Sequence, residues 1–242
     1  MFIADLREFL ESSFPLSLQE SYDNCGLLVG DDSAEIKGVL ISLDVTEAIV
    51  EEAIEKKCNV IVAHHPIIFK GIRNLSKNNL VNRVIIKCIR HNIALYALHT
   101  NLDNHNQGVN GKIAEKLDLI KTRVLLPKAD GLLKLVVFIP VDNLEQIDKA
   151  IFENGGGQIG NYSECHFRSR GVGTFMPNEE ANPTVGKALV REEIAEYRVE
   201  YLVPQHLKET VHRAMLTAHT YEEVAHEWIP IKNVNQEIGA GM

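Results

Sequence analysis

Apolar residues at positions 3, 6, 9, 10 and 14 recur with helical spacing and stop at Pro15, which predicts an amphipathic helix over Ile3 to Phe14. A short apolar strand, Gly26 to Val29, follows a polar turn at Tyr22-Asp23-Asn24-Cys25. Gly38 to Leu43 reads as a second strand. Thr46 then caps a helix over Glu47 to Lys57, with Glu47 at the positive end of its dipole. The unbroken aliphatic run in Asn59-Val60-Ile61-Val62-Ala63 predicts a buried parallel strand, ended at Pro66, which has no N–H for the ladder. A helix over Leu80 to Arg90 and an apolar strand over Ile93 to Leu98 complete a βαβαβ run. Crossovers of this length favour parallel neighbours whose ends share one rim.

The pattern changes from Leu132 onward. Lys134 to Ile139 is β-rich, and Asn143 to Asn154 is helical. A glycine-rich turn from Gly155 to Gly160 precedes hairpin-like pieces at Cys165 to Phe167 and Gly171 to Pro177. Arg198 to Val203 predicts a strand, His206 to Ala218 a helix and His226 to Ile231 a last strand. The order β-α-β-β-α-β suggests a ferredoxin-like module. The expected fold class is therefore α/β: a core with a mostly parallel sheet, joined to a ferredoxin-like α+β second domain. The boundaries expected are 1–127 for the first half of the core, 128–232 for the second domain and 233–242 for the start of a resumed core.

At 242 residues, 45% hydrophobic and 24% charged, the chain is long enough for one large core or two small ones. The net charge of −8, without a basic run, argues against nucleic acid as a partner. The acidic start lacks the marks of a signal or transit peptide, and no segment approaches the ~18 apolar residues of a membrane span. The four cysteines lie far apart, as reduced thiols of a cytoplasmic protein do, and only Cys25 is a weak candidate for reactivity.

Candidate chemistry sits at the strand ends, where open α/β sheets gather their ligands. One strand runs into His64-His65 and the next into His99-Thr100-Asn101-Leu102-Asp103. Imidazole suits zinc, iron or manganese, and a carboxylate adds charge and can bridge two cations. His64, His65 and Asp103 are the expected metal ligands. His99 is either a ligand or a hydrogen-bonding neighbour that orients one, and His105 is read as a loop histidine. Asp23 and Asn24 could reach substrate or could simply close a turn. Lys70 and Arg73, in the loop after the His pair, are the nearest cations for an anionic substrate group. Gly155 to Gly160 lacks a following GK[ST] and is not read as a phosphate loop. His219 and Glu223 share a helical spacing but belong to the second module and are rejected as ligands.

Asp23-Asn24-Cys25-Gly26-Leu27-Leu28-Val29-Gly30, Ala63-His64-His65-Pro66 and Leu98-His99-Thr100-Asn101-Leu102-Asp103 together resemble the NGG-one-interacting-factor-three-like family, whose members are often called GTP cyclohydrolase I type 2 homologues. The resemblance implies a cytoplasmic toroidal homohexamer with two divalent metal ions per site. It places the family's histidine pair on His64 and His65 and its carboxylate on Asp103. It also implies that the second domain is an insertion similar to the PII and CutA proteins. The late His and Glu ligands of the family have no counterpart before Met242, so partial metal occupancy and exposed apolar surface are expected. The function implied is a metal-dependent hydrolase acting on a nucleotide or related small molecule, with no catalytic residue assigned. The alternative is a non-catalytic, metal-binding ring scaffold whose PII-like module senses a small molecule or a partner.

Overall fold

In the computed structural model, residues 1–129 and 131–242 are described, and they form two compact units. Met1–Pro127 and Gln236–Met242 make the first, and Lys128–Asn235 the second.

The first unit opens with α1 (Ile3–Ser13) and a single 3-10 turn, then β1 (Gly26–Val29) and β2 (Val39–Ser42). Helix α2 (Glu47–Glu55) starts where the Thr46 hydroxyl accepts from the Ile49 amide. After it come β3 (Val60–Ala63), α3 (Leu80–Arg90), β4 (Ala94–Ala97), a one-turn α4 (Thr100–Asp103) and α5 (Val109–Lys116). The sheet order is β1-β4-β3-β2, with β2, β3 and β4 parallel and β1 antiparallel to β4. Alternation along the strands sends Ile61, Ala63 and Leu95 to one face, where they pack with Val50, Ala53, Val84 and Cys88 of α2 and α3. Val60 and Ala94 point the other way, toward Ile3 and Leu6 of α1. Helices on both faces explain why β4 is buried at every position. Edge strand β2 is covered on one side only: Val39 is 37% exposed and Ile41 80%.

The glycine that closes β1 is required by two observations. Gly30 has φ +127°, and a Cβ there would lie 2.6 Å from that of Ala94. The unit is completed from the far end of the chain. β5 (Leu126–Pro127) pairs with the last strand, Gly239–Ala240, with Gly239 opposite Pro127.

The second unit runs β6 (Leu132–Pro140), α6 (Leu144–Glu153), β7 (His166–Phe175), β8 (Glu192–Pro204), α7 (Lys208–Ala218) and β9 (His226–Pro230); the returning Gly239–Ala240 strand is β10. The sheet order β7-β8-β6-β9, antiparallel throughout, is the ferredoxin-like arrangement. Leu135, Val137, Val199, Tyr201 and Val203 form its core with Ile147 and Ile151 of α6 and Val211 and Met215 of α7. The pieces read from sequence as hairpin-like, at 165–167 and 171–177, are one continuous strand, because β7 pairs with β8 along its whole length. Helix α7 ends at Ala218, so His219 and Glu223 share no helical face; His219 turns inward to the Phe138 carbonyl, 3.1 Å away.

Candidate metal centre

The parallel strands β2, β3 and β4 end at one rim, and each delivers a polar side chain there. Backbone pairing continues past the strands themselves: His64 donates to the Ser42 carbonyl, His65 to that of Leu43, and Leu98 to that of Ala63. The result brings His64, His65 and His99 together, with one ring nitrogen from each within 4.8 Å of the others. Ring centroids are 5.0 Å apart for His64 and His65, 5.2 Å for His64 and His99, and 5.6 Å for His65 and His99.

Every one of these rings is held by its Nδ1. His64 Nδ1 donates to the Leu98 carbonyl at 2.8 Å, His65 Nδ1 to Asp44 Oδ1 at 2.8 Å, and His99 Nδ1 to Asp23 Oδ1 at 2.9 Å. An Nδ1–H spent on an oxygen leaves the lone pair on Nε2, the tautomer a metal ligand needs. Three imidazoles fixed in that state, with a carboxylate beside them, form a donor set that fits a divalent transition metal. Asp103, the expected carboxylate ligand, stands beside the three rings but outside the group whose donor atoms all lie within 4.8 Å of one another. It projects from the single turn of α4, its Oδ1 3.7 Å from His64 Nε2, too long for a hydrogen bond between them.

Asp23 is placed differently from a substrate contact. Its side chain is fully withdrawn from solvent, and besides His99 its carboxylate accepts from the Thr100 amide at 3.0 Å, the Thr100 hydroxyl, the Asn24 amide at 2.7 Å and the Cys25 thiol at 3.2 Å. Burial alone would raise its pKa, but the bonds from Thr100, His99, Asn24 and Cys25 overcome that and hold it well below the usual carboxylate range. It is thus an anion fixed behind His99. Asn24 likewise turns to the protein, its side-chain amide donating to the Ile68 carbonyl at 2.7 Å and tying down the loop that follows the His pair. In that loop Phe69 meets His99 edge-on at 5.8 Å, and Lys70 and Arg73 are exposed. Burial, together with the Asp23 carboxylate, pushes the Cys25 thiol above its ordinary pKa, which makes it a poor nucleophile.

Some rim residues carried no sequence signal. Asp44 reads as a linker before a capped helix. The buried Asn101 accepts from the His99 amide at 3.0 Å while donating to the Phe14 carbonyl at 2.8 Å. Buried Asn104 donates to the Leu18 carbonyl and to Glu20. These two amides anchor the turn that carries Asp103 to the segment after α1.

Among the described residues, no helix is long and apolar enough to cross a membrane. The family model described as Duf34/NIF3 (NGG1p interacting factor 3) matches residues 1–172. A Bacillus subtilis protein named GTP cyclohydrolase 1 type 2 homolog is 40% identical over 235 residues, covering 97% of this chain and 63% of that protein. The solved Bacillus cereus protein related to NIF3 has 41% identity and a TM-score of 0.82, over 99% of this chain and 64% of that one. A Staphylococcus aureus structure follows at 35% identity and a TM-score of 0.63, over 98% of this chain and 61% of that one. The chain therefore spans somewhat under two thirds of the length of the relatives it matches. With its motifs at the rim and a family model that covers most of its length, this chain belongs to the Duf34/NIF3 family.

Proposed function

We propose that His64, His65, His99 and Asp103 hold divalent metal, and that the rim is the site of a metal-dependent hydrolase acting on a nucleotide or related small molecule. The observation that carries the reading is the common tethering of three imidazoles through Nδ1, which leaves the Nε2 lone pair of each free, on rings clustered closely enough to share an ion. A bound divalent cation would supply Lewis acidity and lower the pKa of water near it.

The chain's own residues do the rest. Asp23 and Asp44 fix two rings and make them better donors, and the Leu98 carbonyl fixes the third. The loop pinned by Asn24 sets Phe69 edge-on against His99. Lys70 and Arg73, in the same loop, are the groups proposed to meet substrate phosphate. GTP is the first substrate to try, because the relatives' printed name carries it.

The test is metal content after equilibration with zinc, manganese or ferrous iron, followed by turnover of GTP and of simple phosphoesters. Stoichiometric metal that His64→Ala removes, together with turnover lost in the same variant, supports the proposal. Metal held without turnover of any of them would favour the ring-scaffold reading. Failure to retain metal in the unmodified chain would end both.

A further inference from the structure

The second unit contains a cavity of about 830 Å³ on the sheet face away from α6 and α7. The core-facing residues of β8 are Tyr197, Val199, Tyr201 and Val203, so alternation sends Glu196 to the opposite face. There it is 8% exposed and lines the cavity. Its Oε1 accepts from the Tyr221 hydroxyl at 3.0 Å. Its Oε2 lies across Gly173, where a Cβ would come within 2.1 Å of it, so this carboxylate occupies space that only a glycine leaves open. Among the described residues no cation pairs with Glu196, and Oε2 has no hydrogen-bond partner.

The walls have a definite character. Phe138, Phe175, Met176, Pro183 and Val185 supply apolar surface, and Glu180, Glu222 and Glu223 stand among the lining residues without a lysine or arginine. The loop that closes the cavity is tied down at several points. Thr184 donates to the Thr220 carbonyl at 2.8 Å, the Asn182 amide to Glu222 at 2.9 Å, and the Leu189 amide to the Pro177 carbonyl at 2.7 Å.

With Oε1 taken by the Tyr221 hydroxyl, the carboxylate of Glu196 still has acceptor capacity at the cavity wall for a cationic donor, whose bond to a carboxylate is among the stronger ones. The apolar walls suit an organic body, and the volume falls within the range of small-molecule sites. We infer that the second unit binds a small organic ammonium ion with an apolar body, its charged group on Glu196 Oε2 and its body against Phe138, Phe175 and Met176. The inference is independent of the histidine rim, so either can fail without the other.

The experiment is a titration of the isotope-labelled full chain with phenethylammonium, followed by the amide signals of Gly173, Glu196 and Tyr221. Matched titrations use neutral 2-phenylethanol and anionic 3-phenylpropionate. Saturable shifts at those three positions are expected with the ammonium, about tenfold weaker binding with the alcohol and none with the acid. Glu196→Gln, which can still accept from Tyr221, should weaken ammonium binding by about tenfold or more. Val185→Trp adds bulk at another lining residue while leaving the Glu196 carboxylate in place and should weaken binding, which keeps the test intact if the Gln variant folds poorly. Equal affinity for the alcohol, full binding by Glu196→Gln, or shifts confined to the histidine rim would overturn the inference. So would displacement of the ammonium by excess magnesium, which would make a metal ion the occupant.

Discussion

Asp23 and His99 are 76 positions apart in sequence, yet one carboxylate oxygen meets the ring Nδ1 at 2.9 Å. Asp23→Asn removes the charge but keeps an oxygen that can accept from Thr100. Metal affinity should then fall about 10- to 100-fold with the fold intact, as read by chelator competition alongside circular dichroism. Sequence exposed the histidines because they follow an aliphatic strand directly. Asp23 stood out in sequence only as a possible substrate contact or turn residue and Asp44 not at all, because a carboxylate in a turn looks the same whether it bonds its own backbone or a distant imidazole.

His219 gives a second single-residue expectation. Its Nε2–H donates to the Phe138 carbonyl and its Nδ1 accepts from the Tyr221 amide at 3.1 Å, so the neutral ring satisfies both neighbours. Burial lowers its pKa below the ordinary 6.5. With the folded value depressed, its contribution is complete above pH 6.5 and is lost as pH falls toward the folded value, because the unfolded chain takes up the proton first. Urea midpoints of the second unit should decline through that window, and the decline should be shallower in His219→Gln.

Among the elements, α3 was the most legible. The Asn79 side chain accepts from the Asn82 amide at 2.8 Å, Lys87 and Arg90 sit in the last turn, and one face carries Val84, Ile85 and Cys88. Asn79→Ala should cost about 1 kcal/mol, measurable by denaturant unfolding. The β7–β8 ribbon was the least legible. Most of β7 is exposed, and β8 begins Glu192-Glu193, so β7 and the first residues of β8 show no alternation of apolar and polar positions, which starts only at Glu196-Tyr197. What holds them is the ladder itself, which a period-two search does not detect. Strand β1 depends on a glycine for a reason that no local pattern reveals. Gly30→Ala combines a left-handed backbone with a clash against Ala94, and should destabilise the first unit by about 3 kcal/mol in equilibrium unfolding.

At the scale of the whole molecule, the two units have separate hydrophobic clusters, so calorimetry should resolve two transitions. Zinc or manganese should raise only the transition that Gly30→Ala lowers, by ~2.7 kcal/mol at a hundredfold excess over Kd. Equal movement of both transitions would contradict the assignment of metal to the rim. Fold class was readable at this level because each unit announces its order of strands and helices. The residues from Gln236 onward were harder to place, since Gly239-Ala240 is too short to carry a pattern and gains its meaning only from Leu126-Pro127. That small clasp puts the exit from the first unit next to the re-entry, so 108 residues leave and return through one narrow doorway. A detour gated in this way can be lengthened, exchanged or cut out for little loop-closure entropy. Joining Pro127 to Gln236 through a few glycines and serines should leave the imidazole resonances of the rim where they were, making the second unit a replaceable cartridge.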